Sequence, residues 1–281
     1  MTSQFDQCGP ENMIIMSRDR MAFGGPQVAS ELVLGGYVIY VSIDEPFLLT
    51  INRIRTKRAF LAIVPPYAKH SVIGPRSLRS ILIESETVSP DLMLDGRLVR
   101  GGCEARAWAM RIEDSFQRWQ TSANDEDASS FDLFFFGERL PYRKLDKRIA
   151  IAAGRIRTAP DSRNSQTFAL AKDAALSPSR LRHMFSEQIG APIRSFRAWK
   201  RLRNAIQISH QNSNILQLAM AAGYADATHL CHAVRLYFGE QPSFVCSHWR
   251  RATFIRADTR EYDAFIPRTR QLEPPAPARH A

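Results

Sequence analysis

Residues 168–189, FALAKDAALSPSRLRHMFSEQI, and residues 216–239, LQLAMAAGYADATHLCHAVRLYFG, each have the pattern of two short helices joined by a tight turn. The turns are Leu176-Ser177-Pro178 and Gly223-Tyr224-Ala225-Asp226. A single hairpin of this kind is a weak signal, because many helical proteins contain one. Two in tandem, joined by a long basic helix, are typical of a protein that places two recognition helices in successive stretches of DNA major groove.

The basic residues of the chain are concentrated in the segment that contains these two units. Residues 146–256 contain 17 Lys and Arg against 6 Asp and Glu, a net charge of +11. Residues 1–145 have a net charge of −1 and residues 257–281 of 0, so the whole excess of +10 lies with the helix-turn-helix units. Any one of these side chains can be an ordinary solvated residue, but their confinement to one segment favours phosphate binding.

The first unit has clear signals for the start and the end of its second helix. Ser177 is a good N-cap, Pro178 suits the first helical position, and Gly190 ends the helix. Helical periodicity predicts a buried side of Leu181, Met184, Phe185 and Ile189. The side chains expected to face outward are Ser179, Arg180, Arg182, His183 and Ser186. An Arg can bond a guanine edge with two hydrogen bonds, and Ser or His can reach a base or a phosphate.

In the second unit, Asp226 is the expected N-cap, and the predicted buried stripe is Leu230, Val234 and Phe238. The side chains expected to face outward are Thr228, Cys231, His232 and Arg235. The helix between the units, at about 193–209, has an apolar side that would support both of them. Its basic side is expected to face phosphates or solvent, and it consists of Arg194, Arg197, Lys200, Arg201 and Arg203.

Residues 146–249 resemble the DNA-binding domain of the AraC/XylS family of transcriptional regulators. The resemblance rests on LSPSRL at 176–181, HMF at 183–185, the W.RL spacing at 199–202, AGY at 222–224 and the Gly239…Pro242 turn. It implies two helix-turn-helix subdomains bridged by one long helix. By position, the family's base contacts fall on Ser179, Arg182 and His183 in the first unit and on Thr228, Cys231 and His232 in the second. Ser186 and Arg235, which face outward on the same helices, complete the predicted set of DNA-binding residues.

Two residues of the second unit depart from the family pattern. The family usually has Arg where His232 stands and an aromatic residue where Val234 stands. A His can make one contact to guanine but not the two-pronged contact of an Arg. The smaller Val234 would also pack the unit less tightly. We therefore expect the first unit to contribute more of the sequence specificity.

The N-terminal part has the pattern of a β-structure. From about Ile14 to Thr87, short apolar runs such as Tyr37–Ile43 alternate with turn residues, which predicts a sandwich or small barrel. The stretch AIVPPYAKH at 62–70 resembles a segment of the cupin-like sensor barrels found in the same family. Many relatives have a histidine cluster, but His70 is the only histidine before His183. We therefore expect no metal and no other cofactor, and a His70 that bonds to backbone.

The predicted fold class is α+β, with an N-terminal cupin-like β-barrel, a helical hairpin and a C-terminal all-α domain. Residues 103–120 place Trp108, Ile112, Phe116 and Trp119 on one helix face, and Phe131–Leu140 predicts a second, short helix. These aromatic faces can pack against the barrel or form a dimer interface, and the sequence leaves both open. The predicted boundaries are 1–96 for the barrel, 97–140 for the hairpin, 146–249 for the tandem helix-turn-helix domain and 256–281 for a disordered, proline-containing tail.

These features together predict a sequence-specific, cytoplasmic transcriptional regulator that is not an enzyme. The expected partners are double-stranded promoter DNA, RNA polymerase, a small-molecule effector and a second copy of the chain, and the sign of regulation stays open. One alternative, an enzyme using the barrel, would need converging His and carboxylate ligands that the sequence lacks. The other, a non-specific nucleic-acid packager, would need no matched turns. Four scattered cysteines, no signal sequence and no long apolar run argue against a zinc site, disulfides, secretion and membrane insertion.

Overall fold

The structure is a computed structural model, and it describes residues 14–17, 19–24, 28–53, 55–75, 77–93, 103–121, 131–209, 214–239, 242 and 253–254. The tail at 256–281, for which the sequence predicts disorder, lies outside these residues. The described part has β-structure followed by helices, which confirms the α+β fold class.

Two sheets form the N-terminal part. The strands are β1 (Ile14–Met16), β2 (Arg20–Gly24), β3 (Val28–Leu32), β4 (Gly36–Val41), β5 (Phe47–Ile51), β6 (Arg55–Ala59), β7 (Leu61–Val64), β8 (His70–Ile73), β9 (Arg79–Glu84) and β10 (Thr253–Phe254). One sheet has the order β10-β1-β2-β9-β4-β7 and the other the order β3-β8-β5-β6. The neighbouring strands are antiparallel, except that β10, from the far end of the chain, pairs parallel with β1.

The central strands β4 and β9 are buried along their whole length, because both faces of their sheet are covered. Side chains alternate between the two faces of a strand. In β4, Val38 and Tyr40 point into one apolar core, whereas Tyr37, Ile39 and Val41 point into another. Tyr37 and Tyr40 are therefore core residues, 4% and 1% exposed.

The helices are α1 (Pro90–Met93), α2 (Cys103–Thr121), α3 (Phe131–Phe136), α4 (Lys147–Thr158), α5 (Thr167–Asp173), α6 (Pro178–Ile189), α7 (Ile193–Ile208), α8 (Ile215–Ala221) and α9 (Ala227–Phe238). Short 3-10 turns lie at Ser85–Thr87, directly after β9, and at Arg163–Ser165. The first helix-turn-helix unit is α5–α6, the second is α8–α9, and α7 joins them.

The aromatic face of α2 and α3 packs inside the chain, against the outer face of the β4–β9 sheet. Ile112, Phe116 and Phe135 are fully buried there, and the Phe116 and Phe135 rings lie edge to face with centroids 5.3 Å apart. The sequence left two alternatives open for this face, packing against the barrel or a dimer interface. Its buried side chains pack on the sheet. The side chain of Trp119 lies outside the described residues.

His70, at the start of β8, is buried and has partners at both ring nitrogens. Nδ1 lies 2.8 Å from the Ala68 carbonyl oxygen and Nε2 lies 2.9 Å from the Tyr40 hydroxyl. Because a carbonyl only accepts, Nδ1 donates its proton to Ala68, and Nε2 of the neutral ring accepts from Tyr40. Burial lowers the pKa of His70, although the bond to Ala68 partly opposes this effect. The predicted bond from His70 to backbone is therefore present.

The helical part is divided between two apolar cores. The first unit has a core formed by α4, α5, α6 and the start of α7, including Ile149, Phe185 and Phe196. The second unit shares a core with the N-terminal sheets, in which Leu230 and Val234 of α9 belong to the same cluster as Val38 and Phe47. α7 takes part in both, because it contributes Phe196 to the first core and Trp199 to the second.

Candidate nucleic-acid interface

The second helix of the first unit, α6, begins and ends as its sequence predicts. The Ser177 side chain accepts a hydrogen bond from the Arg180 amide at 3.2 Å, and Pro178 occupies the first turn. Gly190 has φ +84°, the left-handed conformation that ends a helix and that glycine adopts without strain. The predicted side of Leu181, Met184, Phe185 and Ile189 is buried, and Phe185 packs edge to face on Phe196 of α7 at 5.3 Å.

The opposite face of α6 is open. Ser179, Arg182 and His183 are exposed, and Ser186 is half-buried. Arg180 and Glu187 are exposed on the same helix, and His183 Nδ1 lies 3.7 Å from the Glu187 carboxylate. Both members of that pair are about two-thirds solvent-exposed, so the contact contributes little to stability and leaves His183 available for other contacts. α6 therefore presents a polar, cationic surface on a well-packed helix.

The corresponding helix of the second unit, α9, is capped in the same way. Asp226 accepts a hydrogen bond from the His229 amide at 2.9 Å, and Gly239 ends the helix with φ +65°. Thr228, His232 and Arg235 are exposed, whereas Cys231 is half-buried. Leu230 and Val234 are buried as predicted. Phe238 is only half-buried, and Tyr237, which the sequence pattern did not assign to the core, is 5% exposed.

The inward position of Tyr237 follows from the second contact surface that α9 has. Its ring packs on Trp199 of α7, with centroids 5.3 Å apart, and its carbonyl accepts a hydrogen bond from the Val33 amide at 3.1 Å, at the end of β3. A helix that is packed on two sides buries a wider face than a simple amphipathic pattern predicts. Trp199 and Tyr237 belong to the same apolar core as the small Val234.

The prediction that the basic residues of α7 face phosphates or solvent is wrong for two of the five. Lys200 and Arg203 are 4% and 3% exposed, and both contact the buried carboxylate of Glu84 at the end of β9. Arg197 donates to the Pro160 carbonyl at 3.1 and 3.2 Å. Arg194 is exposed and Arg201 half-buried. The reason for the difference is tertiary, because acidic side chains of the N-terminal part neutralise cations that a helix pattern alone assigns to the surface.

A groove of about 450 Å³ lies between α7 and α9. Arg194, Arg201, His229 and His232 are among the residues that line it, and the Arg201 guanidinium stacks over the Tyr224 ring at 5.5 Å. His229 is exposed and was missed by the sequence reading, although it lies one turn before His232. Its position three residues after the Asp226 cap, in the first turn of α9, is the signal that could have found it.

Within the described ranges, no helix is long and apolar enough to cross a membrane. Among the same residues, no group of three or more His, Cys, Asp or Glu side chains could hold a metal ion.

The comparisons with known proteins agree with this arrangement of helices. A family model described as a helix-turn-helix domain matches residues 170–247. A search of curated proteins finds no match. A 1.65 Å structure of ToxT from Vibrio cholerae is 11% identical and covers 82% of this chain and 98% of its own, with a TM-score of 0.51.

Two further solved structures are similar over different lengths. ToxT from Vibrio cholerae O395, bound to (E)-4-(8-methylnaphthalen-1-yl)but-3-enoic acid, is 11% identical over 82% of this chain and 99% of its own, with a TM-score of 0.52. A regulator with an AraC-type DNA-binding domain from Chromobacterium violaceum is 19% identical over 38% of this chain and 95% of its own, with a TM-score of 0.34.

Two capped helix-turn-helix units with open polar helices, on a fold with an N-terminal β-structure, define a DNA-binding transcriptional regulator. The helix-turn-helix domain at 170–247 is of the AraC type, which confirms the resemblance seen in the sequence of this segment.

Proposed function

We propose that this regulator binds a promoter site by inserting α6 and α9 into successive major-groove segments. The reading surface consists of Ser179, Arg182, His183 and Ser186 on α6 and of Thr228, Cys231, His232 and Arg235 on α9. The observation that carries the proposal is that the outer faces of both capped helices are free of the packing that buries their inner faces. Half-buried Ser186 and Cys231 sit at the edges of these faces, where they suit contact to the DNA backbone or to a thymine methyl group.

Phosphate contacts would come from the cations that stay accessible around the two helices. The best-placed candidates are Arg180 on α6, and Arg194 and Arg201 along the groove between α7 and α9. Lys200 and Arg203 are excluded from this set by their burial. Binding should therefore weaken steeply as salt rises, because each neutralised phosphate releases counterions.

We further propose that the N-terminal domain, residues 1–96, senses a small-molecule effector, and that residues 97–140 support a homodimer. The ToxT structure with a bound organic acid supports the first of these, because it has the same fold. Dimer contacts would use the outer surface of α2, where Met110 is 58% exposed, since the aromatic face is buried. Contact with RNA polymerase completes the proposed set of partners.

The experiment that tests DNA binding is selection of sequences from a random duplex library by the full-length chain at physiological salt. A selected site with two conserved half-sites about one helical turn apart is expected. Enrichment of no sequence at all would contradict the proposal, and a single conserved half-site would reduce it to one active unit. A matched control is the variant with Arg182→Ala and His232→Ala together, which should enrich the same site much more weakly.

The effector and the dimer have separate tests. A thermal-shift screen of the full chain against small organic acids should raise the midpoint of unfolding for a true ligand, since binding to the native state alone stabilises it. Sedimentation equilibrium of the full chain and of a Met110→Glu variant tests the dimer. A monomer at micromolar concentration in the unmodified chain would contradict it.

A further inference from the structure

A buried network of charges joins the N-terminal β-structure to the helix between the two units. Glu84, at the end of β9, is 1% exposed and is contacted by three side chains from little more than one turn of α7. Trp199 Nε1 donates to its Oε2 at 2.8 Å, Lys200 Nζ to the same oxygen at 2.6 Å, and Arg203 Nε to Oε1 at 2.7 Å. Lys200 Nζ also lies 2.5 Å from Glu86 Oε1. We call this network of Glu84, Glu86, Trp199, Lys200 and Arg203 the interdomain latch.

Attraction between buried opposite charges holds the latch together. Burial acts to raise the pKa of Glu84, but the Lys200 and Arg203 cations outweigh it and hold the pKa at about 2. Burial raises the pKa of Glu86, with Lys200 opposing and Glu84 reinforcing the shift. Glu84 is therefore the ionised partner of two buried cations. Removing one member of such a network costs much more than the pair adds, because it leaves a buried charge uncompensated.

The latch holds α7, the helix on which the second unit packs, and it is a first contact between the N-terminal part and this end of the DNA-binding region. The second is the backbone hydrogen bond from Val33 to Tyr237 on α9, and the third is the apolar core that α8 and α9 share with the sheets. Gly35 shows how close this packing is, because a Cβ built there would overlap the indole ring of Trp199. The second unit and the β-structure are therefore packed as one body.

The first unit is attached differently. Among the described residues, its core contains no side chain from the strands, and it is completed by α4 and the start of α7. A polar contact between Arg157 on α4 and Asp19, at 3.6 Å, links it to the sheets. The two units of the same DNA-binding region thus differ in what fixes their orientation.

The docked arrangement leaves the DNA-facing side of α9 uncovered. Thr228, His232 and Arg235 are exposed while Tyr237, on the other side of the helix, is bonded to Val33. The latch therefore does not block the recognition surface. Its effect on DNA binding has to act through the orientation of α9 relative to α6.

We propose that the N-terminal domain sets the position of the second recognition helix through the interdomain latch, while the first unit binds DNA independently of it. This inference rests on the proposed DNA-binding function and adds which half of the site is regulated. The docked second unit is the state that is competent for binding. An event in the N-terminal domain that shifts the end of β9 or the end of β3 changes the contact to the second half-site alone.

The test uses two chemically different ways to disturb the latch in the full chain. Glu84→Gln removes the buried negative charge, and Gly35→Ala adds a methyl group against Trp199 with all charges kept. Both substitutions lie outside the DNA-binding region. The matched control is Glu113→Gln, because Glu113 forms a pair of similar burial with Arg79, at 3.0 Å, inside the N-terminal part. Circular dichroism and thermal unfolding check that each variant is folded.

Affinity is measured for three duplexes: the selected site, the site with its second half scrambled, and the site with its first half scrambled. If the latch variants populate the competent orientation about one-tenth of the time, their Kd for the full site rises about tenfold. Their Kd for the site with a scrambled second half is expected to be unchanged, as is every Kd of Glu113→Gln.

The outcomes separate the inference from the function on which it rests. An unmodified chain without preference among the three duplexes contradicts the DNA-binding proposal. The inference is overturned if the unmodified chain prefers the full site and both latch variants keep that preference. It is also overturned if the variants lose affinity for both half-sites equally.

If a variant does not fold, hydrogen exchange on the unmodified chain tests the inference instead. The Val33 amide, bonded to Tyr237, should stay protected when the full site is bound. If DNA binding makes the Val33 amide exchange as fast as an unpaired amide at the end of a strand, the proposal that the docked state binds DNA is overturned.

Discussion

The unequal chemistry of the two recognition helices leads to a quantitative prediction, in which Arg182→Ala is compared with His232→Ala. Arg182 is exposed on α6 and His232 is exposed on α9, so neither substitution opens a cavity. Surface changes of this kind usually alter the free energy of unfolding by less than about 0.5 kcal/mol. Any larger loss in DNA affinity is therefore a loss of DNA contacts.

The expected sizes follow from the number of hydrogen bonds that each side chain can make to a base. A bidentate Arg–guanine contact discriminates between bases by about 1–3 kcal/mol, which is roughly 5- to 150-fold in Kd at the ratio of tenfold per 1.4 kcal/mol. A single neutral hydrogen bond from His232 contributes about 0.5–1.5 kcal/mol, or roughly 2- to 12-fold. We expect the loss of discrimination to be clearly larger for Arg182→Ala.

Fluorescence anisotropy at one fixed salt concentration gives the measurement. Each variant is titrated with the selected site and with duplexes that carry a single base change in one half-site. The quantity compared is the ratio of the two Kd values, because a lost phosphate contact weakens both duplexes equally and leaves the ratio unchanged. Equal loss of discrimination for the two variants would refute the reasoning, and so would a larger loss for His232→Ala.

Three further predictions concern the support of the interface. Phe185→Ala should lower the free energy of unfolding by about 3–5 kcal/mol, since Phe185 is fully buried against Phe196; Phe168→Ala, at a residue 78% exposed, is the control for calorimetry, and equal effects would contradict the assigned core. Asp226→Ala should lower the free energy of unfolding by about 1 kcal/mol through loss of the cap on α9, whereas Asp226→Asn, whose side-chain oxygen can still accept the bond from the His229 amide, should lose much less in urea unfolding; an equal loss in both variants would assign the stability to the charge of Asp226 and not to its capping hydrogen bond. The lowered pKa of His70 means that the unfolded state binds the proton first, so stability should fall as pH drops below the ordinary value of about 6.5. His70→Gln should reduce this slope between the ordinary and the lowered pKa, and an unchanged slope would assign the pH dependence to other groups.

The helix-turn-helix units could be predicted from the sequence nearly to the residue. The caps at Ser177 and Asp226, the glycine ends at Gly190 and Gly239, and the buried side of α6 are all where the pattern places them. This is possible because caps, turns and helical periodicity are local properties of the chain. The choice of DNA contacts on these helices stays a prediction.

The sequence-based predictions of burial are wrong where two segments distant in the chain meet. Lys200 and Arg203 were assigned to the surface, and Tyr237 was not assigned to the core. Each of these depends on a partner more than 100 residues away in the chain, Glu84 or Val33. No periodicity within α7 or α9 can indicate such a partner, since the same helix pattern is compatible with either environment.

The sequence by itself determined that this protein has two capped recognition helices in the one strongly basic part of the chain, because the signals for both are short-range. Only the tertiary structure decided how that basic charge is used. Glu84 withdraws two of the α7 cations from the surface, since a carboxylate buried at the end of β9 is stable only when cations compensate it. The apolar core that α8 and α9 share with the sheets makes the second unit part of the N-terminal core, whereas the first unit has a core of its own.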